Sequence, residues 1–192
     1  DLIIAVRAVD ETAAALAMDN VERLLSESQA SAPESLPHAR GLAGALDLLT
    51  GANLALISVP GEFAAYEARK ALGRGLHVLL FSDNVPLEEE LELKTLARER
   101  NLLLMGPDCG TALIAGTPLA FANVVPRGDI GIVSASGTGL QEVASLIARM
   151  GGGISHGIGV GGRDLDARIG ALGTLTALDA LDEDPATARI VL

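Results

Sequence analysis

The 192-residue sequence predicts an α/β fold with parallel sheet covered on both faces. Short, almost wholly apolar runs recur along the chain, as strands buried on two sides require. Segments with apolar residues at helical spacing lie between most of them. Glycine is frequent, at 22 residues, which suits tight strand-to-helix turns. With aromatics at 2%, the core has to be built from Ala, Leu, Val and Ile.

Leu2–Val6 is the first expected strand, and Leu16, Leu24 and Leu25 mark the helix after it. "SESQASAPESLPHARG", residues 26–41, is rich in Ser, Ala and Pro and reads as a flexible connection. Leu54–Val59 is a strand, Ala64, Ala68, Ala71 and Leu72 stripe a helix, and His77–Phe81 is the next strand. In "VPLEEELELKTLARER", Glu88, Glu89 and Glu90 open a helix and Arg98 and Arg100 close it, in the order the helix dipole favours. Leu93, Leu96 and Ala97 form its apolar stripe. Glu90 and Lys94 are an i,i+4 pair, and the charges read as a solvated face rather than a carboxylate site. Leu102–Met105 is a further strand. "VVPRGD", residues 124–129, then breaks the pattern, and a domain boundary is expected there, dividing 1–125 from 126–192. Ile130–Val133, Gly157–Val160 and Ile190–Leu192 complete the strands, with a helix marked by Leu140, Val143, Ala144 and Ile147. No fixed-period repeat is present. Both ends read as cut, so a fragment of a longer chain is expected.

The formal net charge is −11 without any basic run, which excludes general nucleic-acid binding. One cysteine rules out an internal disulfide framework and fits a reducing, cytoplasmic setting. No signal peptide, membrane span or metal-ligand spacing is evident.

Ligands of open parallel sheets bind beyond the carboxyl ends of the strands. The loops there are Ser58-Val59-Pro60-Gly61, Ser82-Asp83-Asn84, the stretch from Gly106, Pro107 and Asp108 through Cys109 and Gly110 to Thr111, the stretch from Ser134 and Ala135 through Ser136, Gly137, Thr138 and Gly139, and the stretch from Gly159 through Gly161, Gly162 and Arg163 to Asp164. They are small and rich in hydroxyls. Small side chains let an anion reach backbone N–H groups, and a helix N-terminus adds partial positive charge. Ser136 or Thr138 can equally be a plain helix cap. Arg163 can clamp a carboxylate or phosphate, or pair at the surface with Asp164 or Asp166. The Ser134–Gly139 loop lacks the Gly-Lys-Ser/Thr ending of a Walker A loop. Its glycine spacing does not match a dinucleotide fingerprint either, so an NAD-dependent oxidoreductase is disfavoured. His38 lies in the flexible stretch, while His77 and His156 lie near strand starts, away from the ligand edge. Cys109 reads as a small packed residue rather than a nucleophile.

The order and combination of "GPDCGT", "PLAFANVV", "ASGTGLQEV" and "GIGVGGRDL" resemble the alpha subunit of succinyl-CoA synthetase, and within that superfamily the FdrA branch, over about residues 52–192. The resemblance implies a Rossmann-like CoA-binding domain followed by a flavodoxin-like ligase domain. It implies CoA contacts at Ser58, Val59, Pro60, Ser82, Asp83 and Asn84, with Gly106, Pro107 and Asp108 at the next loop. It implies that the helix after the Ser134–Gly139 loop points its N-terminus at a phosphohistidine, a role that falls on Ser134, Ser136, Gly137 and Thr138, and the acyl- and carbamoyl-phosphate readings use the same anion site. Partner subunits or self-association are implied too, as is an acyl-CoA synthetase activity. The same branch is linked to a carbamoyl transferase of purine-ring breakdown, handling oxamate and carbamoyl phosphate, and a ligand-binding module without catalysis is a third reading. "LIIAVRAVDE" lacks the family's glycine-rich turn, and the family's catalytic glutamate and phosphorylated histidine lie beyond "ARIVL". None of the three histidines matches the latter, so the chain is expected not to form phosphohistidine. Incubation with labelled nucleoside triphosphate or succinyl phosphate should leave no acid-labile label on His156, and label there would overturn this.

Overall fold

The computed structural model describes residues 4–30 and 39–192. The chain divides into two compact units, residues 1–48 and 49–192. In the first, α1 (Glu11–Ala30) and α2 (Leu42–Leu48) are helices. The expected flexible stretch 26–41 is therefore corrected at its start, because residues 26–30 complete α1, while 31–38 lie outside the described residues. The expected strand Leu2–Val6 is also corrected. Residues 4–8 carry no regular structure, and 1–3 lie outside the described residues. An apolar run becomes a strand only where a neighbour pairs its backbone, and residues 4–8 enter no ladder.

The second unit carries the sheets. β1 (Leu54–Ile57), β2 (His77–Leu80) and β3 (Leu104–Met105) form a parallel three-stranded sheet. Helices α3 (Gly61–Gly73) and α4 (Leu87–Glu99) connect these strands. Ala64, Ala65, Ala68, Ala71 and Leu72 bury one stripe of α3 against β1 and β2. β4 (Thr111–Ile114), β5 (Thr117–Ala120), β6 (Arg127–Ser134), β7 (Ile154–Gly159) and β8 (Arg189–Val191) form a mixed sheet in the order β5-β4-β7-β6-β8. β6 runs parallel to β7 and β8, whereas β4 is antiparallel to both β5 and β7. Helices α5 (Gly137–Arg149) and α6 (Leu172–Asp182) pack on this second sheet. Leu79 and Met105 of the first sheet share a core with Ala112, Val133, Ile158, Val160, Ala177 and Leu181.

The charges of α4 are the main departure from the sequence reading. Glu90 and Lys94 do not lie on a solvated face; they are 0% and 2% exposed. The Lys94 Nζ donates to the Val160 carbonyl at 2.9 Å and to Asp164 Oδ1 at 2.7 Å, and lies 2.9 Å from Glu90 Oε1. Asp164, fully buried, also accepts from the backbone N–H groups of Gly173 and Thr174 at 2.8 Å and from the Thr174 hydroxyl at 2.7 Å. It thereby caps the first turn of α6, where orphan amides and the helix dipole favour an anion. Burial pushes the Asp164 carboxyl up, but Lys94 and Thr174 outweigh it and hold it below the usual aspartate value.

Replacing Asp164 by Ala strips Lys94 of one buried partner and uncaps α6. The expected loss is about 3–5 kcal/mol in urea unfolding. Because the folded-state value is depressed, the aspartate's contribution is intact above its unfolded value of about 3.9. It is lost as pH falls below that value and through the folded one. Acid unfolding of Asp164→Ala should lack that part of the slope; an unchanged slope would contradict the assignment.

Candidate functional site

The carboxyl ends of the two sheets meet. Leaving β3, the Gly106 N–H donates to the Gly159 carbonyl at the end of β7, at 3.0 Å. Gly106 has φ +88° and lies against the Leu80 carbonyl; Gly161 has φ +89° and lies against the Pro107 carbonyl. A side chain at either position would be strained and would push the two backbones apart.

The loops after β1, β2 and β3 form one group. Ser82 is buried and donates its hydroxyl to the Val59 carbonyl at 2.6 Å. The Asp108 N–H donates to the Ser82 carbonyl at 3.1 Å. Gly61, following Ser58-Val59-Pro60, lies against Asp83 and Asn84. Ser58, Val59, Pro60, Asp83, Asn84 and Asp108 are exposed on this edge, with Gly106 and Pro107 buried beneath.

The loop after β6 starts α5. Ser136 is its N-cap, its Oγ accepting from the Gly139 N–H at 3.1 Å and lying 3.2 Å from the Thr138 hydroxyl. Ser134 Oγ accepts from the Ser136 N–H at 3.2 Å and donates to the Ser136 carbonyl at 2.9 Å. The capping role of Ser136 is thus realised, and it occupies the Gly139 amide. The amides of Gly137 and Thr138, in the first turn, have no intrahelical acceptor.

A cleft of 550 Å³ opens between these groups. Its walls are Asp108, Cys109, Gly110 and Thr111 on one side and Ala135, Ser136, Gly137 and Thr138 on the other, with Phe121, Gln141 and Gly162 at its edges. Five residues expected from the sequence, Asp108, Ser136, Gly137, Thr138 and Gly162, come together here. Ser58, Val59, Pro60, Ser82, Asp83 and Asn84 do not line it. Thr111 ends a loop already expected at the ligand edge, whereas Phe121 and Gln141 were not legible as site residues. Gln141 lies one helical turn after Gly137 and donates through Nε2 to Thr111 Oγ1 at 3.0 Å and to the Phe121 carbonyl at 2.9 Å. That i,i+4 relation to Gly137 is the signal that was available for it. Phe121 packs edge-on against Phe81.

Cys109 is buried at the cleft wall, and burial pushes its thiol above the usual range, as befits a packed residue. His77 Nδ1 accepts from the Leu103 N–H and His156 Nδ1 from the Ala115 N–H. His156 lies inside β7, next to Asp184. His38 lies outside the described residues. Arg163, in the short 3₁₀ turn Gly162–Leu165, does not pair with Asp164 or Asp166. Its Nη2 lies 2.8 Å from Glu90 Oε2, and Asp166 instead takes Arg168. Among the described residues, no group of His, Cys, Asp and Glu is arranged to hold a metal ion, and no helix is long and apolar enough to cross a membrane.

No protein-family model matches the chain. Over 140 residues it is 59% identical to the uncharacterized protein YahF of Escherichia coli (strain K12), a match covering 73% of this chain and 27% of that protein. Over 149 residues it is 32% identical to the alpha subunit of the ADP-forming succinate–CoA ligase of Aquifex aeolicus (strain VF5), covering 74% and 48%. Among solved structures, ATP citrate lyase from Methanothrix soehngenii, in complex with citrate and coenzyme A, superposes with TM-score 0.70 at 21% identity, over 81% of this chain and 27% of that one. The dinucleotide-forming acetyl-coenzyme A synthetase 1 of Ca. Korarchaeum cryptofilum gives 0.58 at 24%, over 81% and 36%. These two are likenesses of fold. The chain spans between about a quarter and a half of the length of each relative. Over its matched stretch the chain is thus similar in sequence to alpha subunits of succinate–CoA ligase, and its parallel first sheet and mixed second sheet are similar in fold to the acyl-CoA-forming enzymes above.

Proposed function

We propose that the chain is part of a cytoplasmic, FdrA-type acyl-CoA synthetase-like subunit that holds an acyl phosphate in the cleft at the start of α5. The observation that carries this is the first turn of α5, whose Gly137 and Thr138 amides have no intrahelical acceptor and which lines the cleft. The sequence relation to succinate–CoA ligase alpha subunits supports it. CoA would lie along the outer edge of the first sheet, at Ser58, Val59, Pro60, Ser82, Asp83 and Asn84, with Gly106, Pro107 and Asp108 leading from that edge into the cleft. In this reading a CoA-binding part built on the first sheet precedes a ligase part built on the second, and further subunits or a second copy complete the enzyme.

In the transfer, the CoA thiolate attacks the acyl carbon, the bond from that carbon to the phosphate oxygen breaks, and phosphate leaves. The α5 amides, with the Ser134, Ser136 and Thr138 hydroxyls and Gly139 behind them, stabilise the charge on the departing phosphate. Gly161, Gly162 and Arg163 close the opposite rim. Carbamoyl phosphate presents the same phosphate to the same amides. The carbamoyl-transfer reading therefore differs only in the acceptor, and oxamate in place of CoA tests it.

A Cβ at position 137 would lie 3.1 Å from Thr111 Oγ1 and 3.2 Å from Cys109 Sγ, tighter than ordinary van der Waals contact, so these cleft-wall side chains would have to shift to admit a valine. Gly137→Val, its folding checked by circular dichroism, should lose affinity for inorganic phosphate and acetyl phosphate by about tenfold or more by calorimetric titration, the equivalent of about 1.4 kcal/mol. Unchanged affinity would remove α5 from the site.

A further inference from the structure

Thr111 opens β4 in the wall of the cleft and is 1% exposed. Its hydroxyl oxygen accepts from Gln141 Nε2 at 3.0 Å, and the same Nε2 donates to the Phe121 carbonyl at 2.9 Å. A backbone carbonyl can only accept, so the Phe121 contact fixes which end of the Gln141 amide carries the N–H groups. Thr111 is thereby the acceptor toward Gln141. A hydroxyl also has one proton to donate, and among the described residues the Thr111 proton has no acceptor. A buried donor left without an acceptor is costly.

The place of that hydroxyl is defined from the helix side. A Cβ on Gly137 would lie 3.1 Å from Thr111 Oγ1, so the hydroxyl sits beside the first residue of α5. The amides of Gly137 and Thr138, in the same first turn, have no intrahelical acceptor. Thr111, Gly137, Thr138 and Gln141 all line the one cleft. One hydroxyl from β4 and two amides from α5 therefore bring open donors to the same part of it, and Gln141, on α5, ties the two elements together.

We infer that Thr111 is a further phosphate-binding residue, donating its hydroxyl proton to the anion at the start of α5, and that Gln141 is the positioning residue that turns that proton toward the anion. The inference rests on the acyl-phosphate reading above and adds to it a donor from β4. A hydroxyl that already accepts one hydrogen bond is polarised into a better donor. A rotor fixed beforehand also loses less freedom when the ligand binds.

The test is calorimetric titration with inorganic phosphate of the chain and of four variants, each checked for folding by circular dichroism. Thr111→Val keeps the shape, removes the hydroxyl and should bind phosphate about tenfold more weakly. Thr111→Ser restores the hydroxyl and should recover most of that loss. Gln141→Met frees the hydroxyl and should weaken binding about threefold. Added to Thr111→Val, it should cost nothing further, within about twofold. Unchanged affinity in Thr111→Val overturns the inference and leaves the acyl-phosphate reading standing, as does a Thr111→Ser no better than Thr111→Val. A further loss on adding Gln141→Met to Thr111→Val overturns the positioning role. Absence of phosphate binding by the unmutated chain overturns both this inference and the acyl-phosphate reading. Should a variant not fold, the unmutated chain decides. During phosphate titration the Thr111 methyl resonance should move with the Gly137 and Thr138 amide resonances at one dissociation constant, and a stationary methyl beside moving amides overturns the inference.

Discussion

The ammonium of Lys94 is the point on which the rest of the second unit depends. A buried lysine is costly unless it meets acceptors and counter-charges, and Lys94 donates to Val160 at the end of β7 and to Asp164 in the turn beyond it, with the Glu90 carboxylate of its own helix 2.9 Å away. Those contacts tie α4, which belongs to the first sheet, to the loop and helix that follow the second. Asp164 passes the constraint on by capping α6. The turn carrying Gly161, Gly162 and Arg163 is therefore fixed by a charge network rather than by apolar packing alone.

This fixing matters because of where the turn lies. Gly106 and Gly159 hydrogen-bond across the two sheets, and Gly161 lies against Pro107. The backbones approach closely enough that the strand ends of one sheet and the first turn of α5 face each other across a single cleft. A shift of the turn would change the width of that cleft directly. Rigid support for small, backbone-lined loops is what electrostatic preorganisation requires.

The sequence made the parallel strands legible because strands buried on both faces are almost continuously apolar, as in Val78–Leu80 and Ile132–Val133. It did not reveal the β4–β5 hairpin. The two-residue turn there is Ala115-Gly116, both at positive φ, and it lacks the Asn-Gly or Asp-Gly that would mark it. Leu2–Val6 shows the opposite error, an apolar run whose described residues have no strand partner. The candidate loops were legible from small residues after apolar runs. The burial of Glu90 and Lys94 was not, because an i,i+4 pair looks the same in the core as on the surface. What buries it is Asp164, 70 residues later in the chain. Arg163 was legible as a cation beside glycines, but its partner lies on α4, and nothing local to either residue joins them.

The central claim is that the cleft between the sheet ends binds a phosphate-bearing ligand with CoA beside it. Thermal unfolding of the chain titrated with CoA, with inorganic phosphate in parallel, tests it most directly. Ligand at a hundred times its dissociation constant stabilises by about 2.7 kcal/mol. For a chain of this size that amounts to a rise of about 5–11 °C. A rise with phosphate and a larger one with CoA is the expected result. No rise with either ligand at millimolar concentration would contradict the claim.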